Sequence, residues 1–224
     1  TAEEVWLDYI EILSAALAAR DLDYAVAAMS EGVDVEVPMA WEASMDDLRL
    51  TDRDAILVRG DVAFSNVEVV TFDNVFVAPI SGADPIVVNR GWVALDAEVE
   101  GATLRFAGTH LEIPGASAAI QVAQGNEVID ALADDAEPVI LTGDFNSPAS
   151  GSGTATYGNV LGAGYADAWL EAGNEDAGYT CCFGSYLGDM GYQPGSRIDF
   201  VFSRGDVYFT DAHTVGSGEL TGDG

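Results

Sequence analysis

Apolar and polar positions alternate with two periods along this chain, and the switches between them mark out its elements. Residues 3–19 repeat apolar side chains at helical spacing, Trp6, Tyr9, Ile10, Leu13 and Leu17, with Glu3, Glu4, Asp8 and Glu11 toward the start. That pattern predicts an amphipathic helix whose acids favour its N-terminal dipole. Residues 24–29, 34–38 and 54–59 read as strands, and residues 67–77 as strands broken near Asp73 and Asn74. The clearest hairpin pairs residues 92–99 with 103–109 around Glu100 and Gly101, and places Leu104, Phe106, Gly108 and His110 on one face. A helix follows over residues 117–133, with Ala118, Val122, Ile129 and Leu132 as its apolar stripe and Gly125 permitting a close approach. Residues 138–146 open as a short apolar strand. The Ser, Gly, Ala and Thr of residues 147–158 predict a flexible loop before a short helix at 158–163. Residues 198–203 and 207–210 predict two last strands. Strands mixed with long helices, with no repeat and no linker, predict one layered α/β domain over residues 1–224.

Charge changes the picture most. The 224 residues carry 38 Asp plus Glu against 8 Lys plus Arg, a net charge of -30. Every basic residue is Arg. The chain has no general basic footprint for nucleic acid. A surface this acidic tolerates high ionic strength, where the Debye length falls to about 3 Å at 1 M salt. Two readings stand side by side: adaptation to a salty habitat, or an acidic secreted protein. Extracellular location and a monomeric state are the expectations, and no apolar run is long enough for a transmembrane helix. Cys181 and Cys182 are the only cysteines. They lack the ligand number and spacing of a zinc site and are expected as two reduced, partly buried thiols.

The polar residues that close apolar strands are the candidate chemistry. Gly143, Asp144 and Asn146 sit where the strand of residues 138–146 runs out. Persistent extended geometry would put Asp144 and Asn146 on one face and turn Phe145 away. A carboxylate beside a carboxamide suits a metal ion, a water or a phosphate; equally, Gly, Asp and Asn build polar turns. His110 ends another strand and can carry a proton near neutral pH. Asp199 alternates with Ile198, Phe200 and Phe202, and Arg197 is its nearest candidate partner. Arg90 is placed to hold a phosphate or to form a surface ion pair. Asp34 and Glu36 share a strand face, either as paired carboxylates or as a solvated edge. His213, among polar neighbours, is expected at the surface.

With Thr109-His110-Leu111 first, Gly143-Asp144-Phe145-Asn146 next and Arg197-Ile198-Asp199-Phe200 last, the chain resembles the endonuclease/exonuclease/phosphatase superfamily, of deoxyribonuclease I-like fold. Arg90-Gly91-Trp92 and Thr180-Cys181-Cys182 resemble a bacterial branch of it. The resemblance implies a four-layer sandwich of two packed mixed β-sheets flanked by helices. It also implies a phosphodiesterase or nuclease-type hydrolase using Mg²⁺ or Mn²⁺. Carried over residue by residue, it makes His110 a contact to the scissile phosphate and an acid. Asp144 would orient water or hold metal, and Asn146 would donate to a phosphate oxygen or join the metal. Asp199 would orient a second histidine, and Arg90 would bind substrate. The family's first strands, with an Asn and the main metal-binding Glu, and its closing Ser-Asp-His are not found in residues 1–224. The chain is therefore expected to be incomplete at both termini and weak or inactive alone. The other reading is a non-catalytic binding or scaffold module on the same fold. Phosphate-ester substrates are implied, and nucleic acid only at high salt.

Overall fold

A computed structural model describes residues 2–41, 44–80, 84–182 and 195–215. The chain divides into two compact units, Thr1–Gly108 and Thr109–Gly224. The Ser-Gly-Ala-Asp-Pro cluster at residues 81–85, whose composition predicts a turn, lies partly outside the described residues.

In the first unit, helix α1 covers Tyr9–Ala18, shorter than the residue pattern predicts. Asp8 stops its N-terminal extension: its Oδ1 accepts the Ile10 and Glu11 N–H groups at 3.0 and 3.1 Å, so it caps the helix. The helix buries no residue, and Trp6 and Tyr9 are exposed. Strand β1 (Tyr24–Trp41) merges the two separate strands expected there and pairs antiparallel with β2 (Ser44–Arg59). A bulge between Glu31 and Asp34 accounts for the break in their pattern. Asp34 is bound by Arg49 across this ladder, which fits the solvated edge and not a carboxylate pair.

Strand β3 (Phe64–Thr71) pairs antiparallel with β6 (Gly91–Val99), and β4 (Phe76–Ala78) with β5 (Ile86–Val88). Strand β7 (Ala102–His110) follows β6 through Glu100 and Gly101, whose φ angles of 52° and 85° suit the tight hairpin turn predicted there. The strand order in this unit is β3-β6-β7. Val58, Leu95 and Ala97 form one buried cluster in it, with Ala27, Ile56, Val62 and Phe106 packed against them.

The second unit begins inside β7, at Thr109. Helix α2 (Pro114–Ala131) leads to β8 (Val139–Asp144), and α3 (Thr156–Gly162) to β9 (Ala166–Asp167). Helix α4 (Ala168–Glu171) and β10 (Asp199–Arg204) complete it. Strand β10 runs antiparallel to β8 on one side and β9 on the other. The residues expected as a strand at 207–210 form none. Phe145, Phe200 and Phe202 alternate inward and meet: Phe145 lies 5.8 Å and 5.2 Å from the other two rings, edge to face. Phe145 and Phe202 are fully buried, so truncating either would cost about 3–5 kcal/mol.

The inner face of α2 differs from the predicted stripe. Gln121, Gln124, Val128 and Leu132 are buried, whereas Ala118 is exposed. The reason is satisfaction of buried backbone. Gln121 Nε2 donates to the Phe145 carbonyl at 2.5 Å, and Gln124 Oε1 accepts the Glu112 N–H at 2.8 Å. Apolar periodicity cannot reveal a helix that turns two amides inward to serve neighbouring strand ends. Gly125 does allow a close approach, since a Cβ there would lie 2.5 Å from Thr156 Cγ2.

Candidate active site

Three strand ends in the second unit carry the site. The end of β7 and the end of β8 run side by side: the Leu111 N–H donates to the Asp144 carbonyl at 2.9 Å. Gly143 makes this approach possible. Its φ is 141°, and a Cβ there would sit 1.8 Å from the Thr109 carbonyl oxygen. His110 and Asp144 thereby come together, with Nε2 3.6 Å from Asp144 Oδ2 and each side chain about a quarter exposed, 26% and 28%. That spacing gives a charge pair when the imidazole is protonated, and leaves both groups open to a ligand.

Strand geometry ends at Asp144. Asn146 adopts a left-handed φ of 48°, and its N–H donates to Asp144 Oδ1 at 2.8 Å. This local turn, and not a continued strand, puts the carboxylate and the carboxamide together. Phe145 turns away into the core as expected. One hydrogen of Asn146 Nδ2 is committed to the Leu111 carbonyl at 2.8 Å, which fixes the amide.

Asp199 enters from the third strand. In the β10–β8 ladder it stands opposite Asp144. It is exposed, and Thr180 Oγ1 donates to its Oδ2 at 2.6 Å. Arg197 is not its partner. The Arg197 Nη1 instead reaches both oxygens of buried Asp167 at 2.9 and 2.8 Å, with its guanidinium over the Phe200 ring. Arg197 lies before β10 begins, so strand alternation does not govern it: it is buried against Asp167, while Asp199 is exposed at the first position of the strand.

Cys181 lies beside these acids. Burial first, then Cys182 and the Asp144 and Asp199 carboxylates, push its thiol up to about 12. It stays protonated at neutral pH and is no thiolate nucleophile. Both cysteines are free; Cys181 is half-buried and Cys182 exposed, close to what the sequence predicts. His213 is exposed, also as expected.

Arg90 belongs to the first unit. It is buried, and its Nη1 donates to Asp52 at 2.9 Å, so of the two readings of Arg90, phosphate holding or a surface ion pair, an ion pair is present, with the arginine buried and Asp52 partly exposed. The loop after Asn146 is tied down as well. Ser147 Oγ accepts from Thr154 Oγ1 at 2.9 Å and from the Tyr157 N–H at 3.1 Å, and the Ala149 N–H donates to the Arg197 carbonyl at 3.0 Å. Composition alone pointed to flexibility because it does not show which serine is buried.

Three positioning residues carry no motif signal, Gln121, Gln124 and Glu112, and the role of Thr180 as a donor to Asp199 was not read from its motif. Glu112 is buried next to the site, and its Oε1 accepts the Ile113 N–H at 2.8 Å. The donor chemistry suits a hard divalent ion, since Asp144, Asn146 and Asp199 offer oxygens. Their number does not: among the described residues no group of three or more His, Cys, Asp or Glu could hold a metal. These side chains by themselves do not fit a closed metal centre. Among the described residues no helix is long and apolar enough to cross a membrane.

The sequence model described as the Endonuclease/Exonuclease/phosphatase family matches residues 4–219. An endonuclease/exonuclease/phosphatase family protein from Leptotrichia buccalis C-1013-b is similar in structure, with a TM-score of 0.54 at 18% identity over 93% of this chain and 70% of that one. A truncated TDP2 from Caenorhabditis elegans is similar with a TM-score of 0.52 at 18% identity, over 91% of this chain and 69% of that one. Identities this low speak for the fold alone. No curated protein sequence matches the chain.

Proposed function

We propose that this chain, which belongs to the Endonuclease/Exonuclease/phosphatase family, is a hydrolase of phosphate esters, of phosphodiesterase or nuclease type, that works with Mg²⁺ or Mn²⁺. The observation that carries the reading is the meeting of His110, Asp144 and Asn146 at adjacent strand ends, with Asp199 opposite Asp144. A quarter-exposed imidazole at this place contacts a phosphate oxygen and, when protonated, balances charge that builds there. The Asp144 carboxylate accepts a proton from, or orients, an attacking water. Asn146, fixed by Leu111, presents its amide to the same oxygens. Asp199, held by Thr180, orients a partner group on the far side of Asp144.

A bound Mg²⁺ or Mn²⁺ would supply charge neutralisation, with Asp144 and Asn146 as its oxygen ligands. Among the described residues these ligands are too few for a closed centre, and low turnover is expected. The same shortage favours a second reading, a non-catalytic binding module on this fold. The net charge of -30 supports secretion into, and work at, high salt, where nucleic acid becomes an accessible substrate.

The test is a panel of DNA, RNA, sphingomyelin and inositol phosphates, assayed at high salt with Mg²⁺ or Mn²⁺, alongside a metal titration. Hydrolysis that His110→Ala and Asp144→Ala abolish supports the enzyme. Metal binding that is diffuse, salt-sensitive and indifferent to Asp144→Ala, without hydrolysis of any substrate, supports the binding module.

A further inference from the structure

Beside the candidate site the second unit holds a cavity of about 320 Å³, at the small end of the range for ligand pockets. It is continuous in sequence with the site. Pro148, in its wall, is two residues beyond Asn146, so their Cα atoms lie within about 7 Å. Tyr179, also in the wall, precedes the Thr180 that binds Asp199.

The lining has a definite chemistry. Trp169 and Tyr179 supply aromatic surface, and Ser150, Ser152 and Ser196 supply hydroxyls. Trp169 is held at three points, two of them on its ring. Its Nε1 donates to the Asp176 carbonyl at 3.0 Å, and the Trp169 backbone N–H donates to Asp167 Oδ1 at 3.0 Å. Its ring lies against Gly178, where a Cβ would come within 2.4 Å of it. Tyr179 is 46% exposed and so presents its ring to solvent.

Charge decides the ligand class. Among the described residues Arg197 is the one cation in the wall, and buried Asp167 already matches it through both carboxylate oxygens. Asp176, whose Oδ1 accepts the Gly178 N–H at 2.9 Å, adds an acidic residue to the lining. Such a wall attracts no second anion and disfavours a polyanionic chain. It suits a neutral ring with many hydroxyls, whose C–H face lies on an aromatic ring while serine and carboxylate oxygens exchange hydrogen bonds with its hydroxyl groups.

We propose that this cavity is a subsite for a neutral polyhydroxylated ring, a monosaccharide unit, forming the alcohol part of the phosphate ester cleaved next door. The role as leaving-group subsite rests on the phosphate-ester reading above; binding of the ring does not.

Saturation-transfer NMR with methyl β-D-glucopyranoside tests it, because that probe carries no phosphate and reports on the cavity whether or not the chain hydrolyses anything. Transfer to the ring protons is expected, with Kd raised about tenfold or more by Trp169→Ala and by Tyr179→Ala, roughly the loss of one aromatic contact. Tyr179 is exposed and packs little, so its variant keeps the test valid if Trp169→Ala unfolds. Absence of transfer, binding unchanged in the Tyr179→Ala chain, or tighter binding of adenosine monophosphate than of the glucoside would each overturn the proposal. Loss of hydrolysis with glucoside binding intact would instead count against the phosphate-ester reading.

Discussion

Asp199 stands directly opposite Asp144 in the antiparallel ladder of β10 and β8. Like charges so placed weaken a sheet. Each acid has local support, Thr180 Oγ1 for Asp199 and the Asn146 N–H for Asp144. Neither of these two donors is a cation, and the His110 imidazole beside Asp144 carries a charge only when protonated. The ladder keeps an electrostatic conflict at the point where ligand chemistry is proposed, an arrangement more useful for binding than for folding.

Asp199→Asn should separate those roles. The amide oxygen still accepts from Thr180, while the repulsion disappears. Stability measured by urea unfolding is expected to be unchanged or raised by about 0.2–1 kcal/mol. Phosphate-ester hydrolysis is expected to fall. A clear loss of stability would make the carboxylate a structural group.

Gly143→Ala should destabilise the second unit by about 3 kcal/mol, because it adds a Cβ at a positive φ and 1.8 Å from the Thr109 carbonyl oxygen. Thermal unfolding followed by aromatic signals of Phe145 and its neighbours would read this. A variant as stable as the parent would mean that the β7 and β8 ends are not this close.

Asp167→Ala strands a charge. The Arg197 side chain is 7% exposed and that of Asp167 1%, and Tyr157 also donates to the same carboxylate at 2.8 Å. The expected cost is about 3–5 kcal/mol in chemical denaturation. The paired replacement of both residues by apolar ones of similar size should cost much less. Equal losses in the single and double variants would show that the pair contributes more than it leaves exposed to conflict.

Asp54, in the first unit, should shape stability in mild acid. Burial, then the Asp52 charge, raise its pKa to about 6, and Arg90 works in the opposite direction. A raised pKa means that the folded state holds the proton more tightly than the unfolded chain. The contribution is therefore most favourable below the unfolded value near 4 and declines as pH rises through about 6. Asp54→Asn should gain stability relative to the parent at pH 7 and lose that advantage at pH 4, as compared by melting temperature. A difference that does not vary with pH would refute the assignment.

Much of this was legible because the informative residues sit at changes of pattern. Glu100 and Gly101 announced the β6–β7 turn, and the alternation of Ile198, Phe200 and Phe202 announced which way Asp199 points. Polar residues that face inward were not legible. Gln121 and Gln124 follow no apolar rhythm, because each serves a backbone group from a distant part of the chain. The Arg197–Asp167 pair failed for a related reason: nearness along the chain suggested Asp199, whereas Arg197 lies before β10 and binds a carboxylate 30 residues away. Asp8 shortened α1 because a capping side chain outweighs a helical repeat that extends past it.

The buried contact between Asp167 and Arg197 also has a consequence for how this sequence can drift. Asp167 holds the backbone of Trp169 as well, so a single replacement there would disturb the core and the cavity wall in one step. A lineage that lost only one partner would pass through a poorly folded intermediate. The two positions are expected to covary across homologues, changing as a couple or not at all, and to mark ancestry more faithfully than the serines of the neighbouring loop.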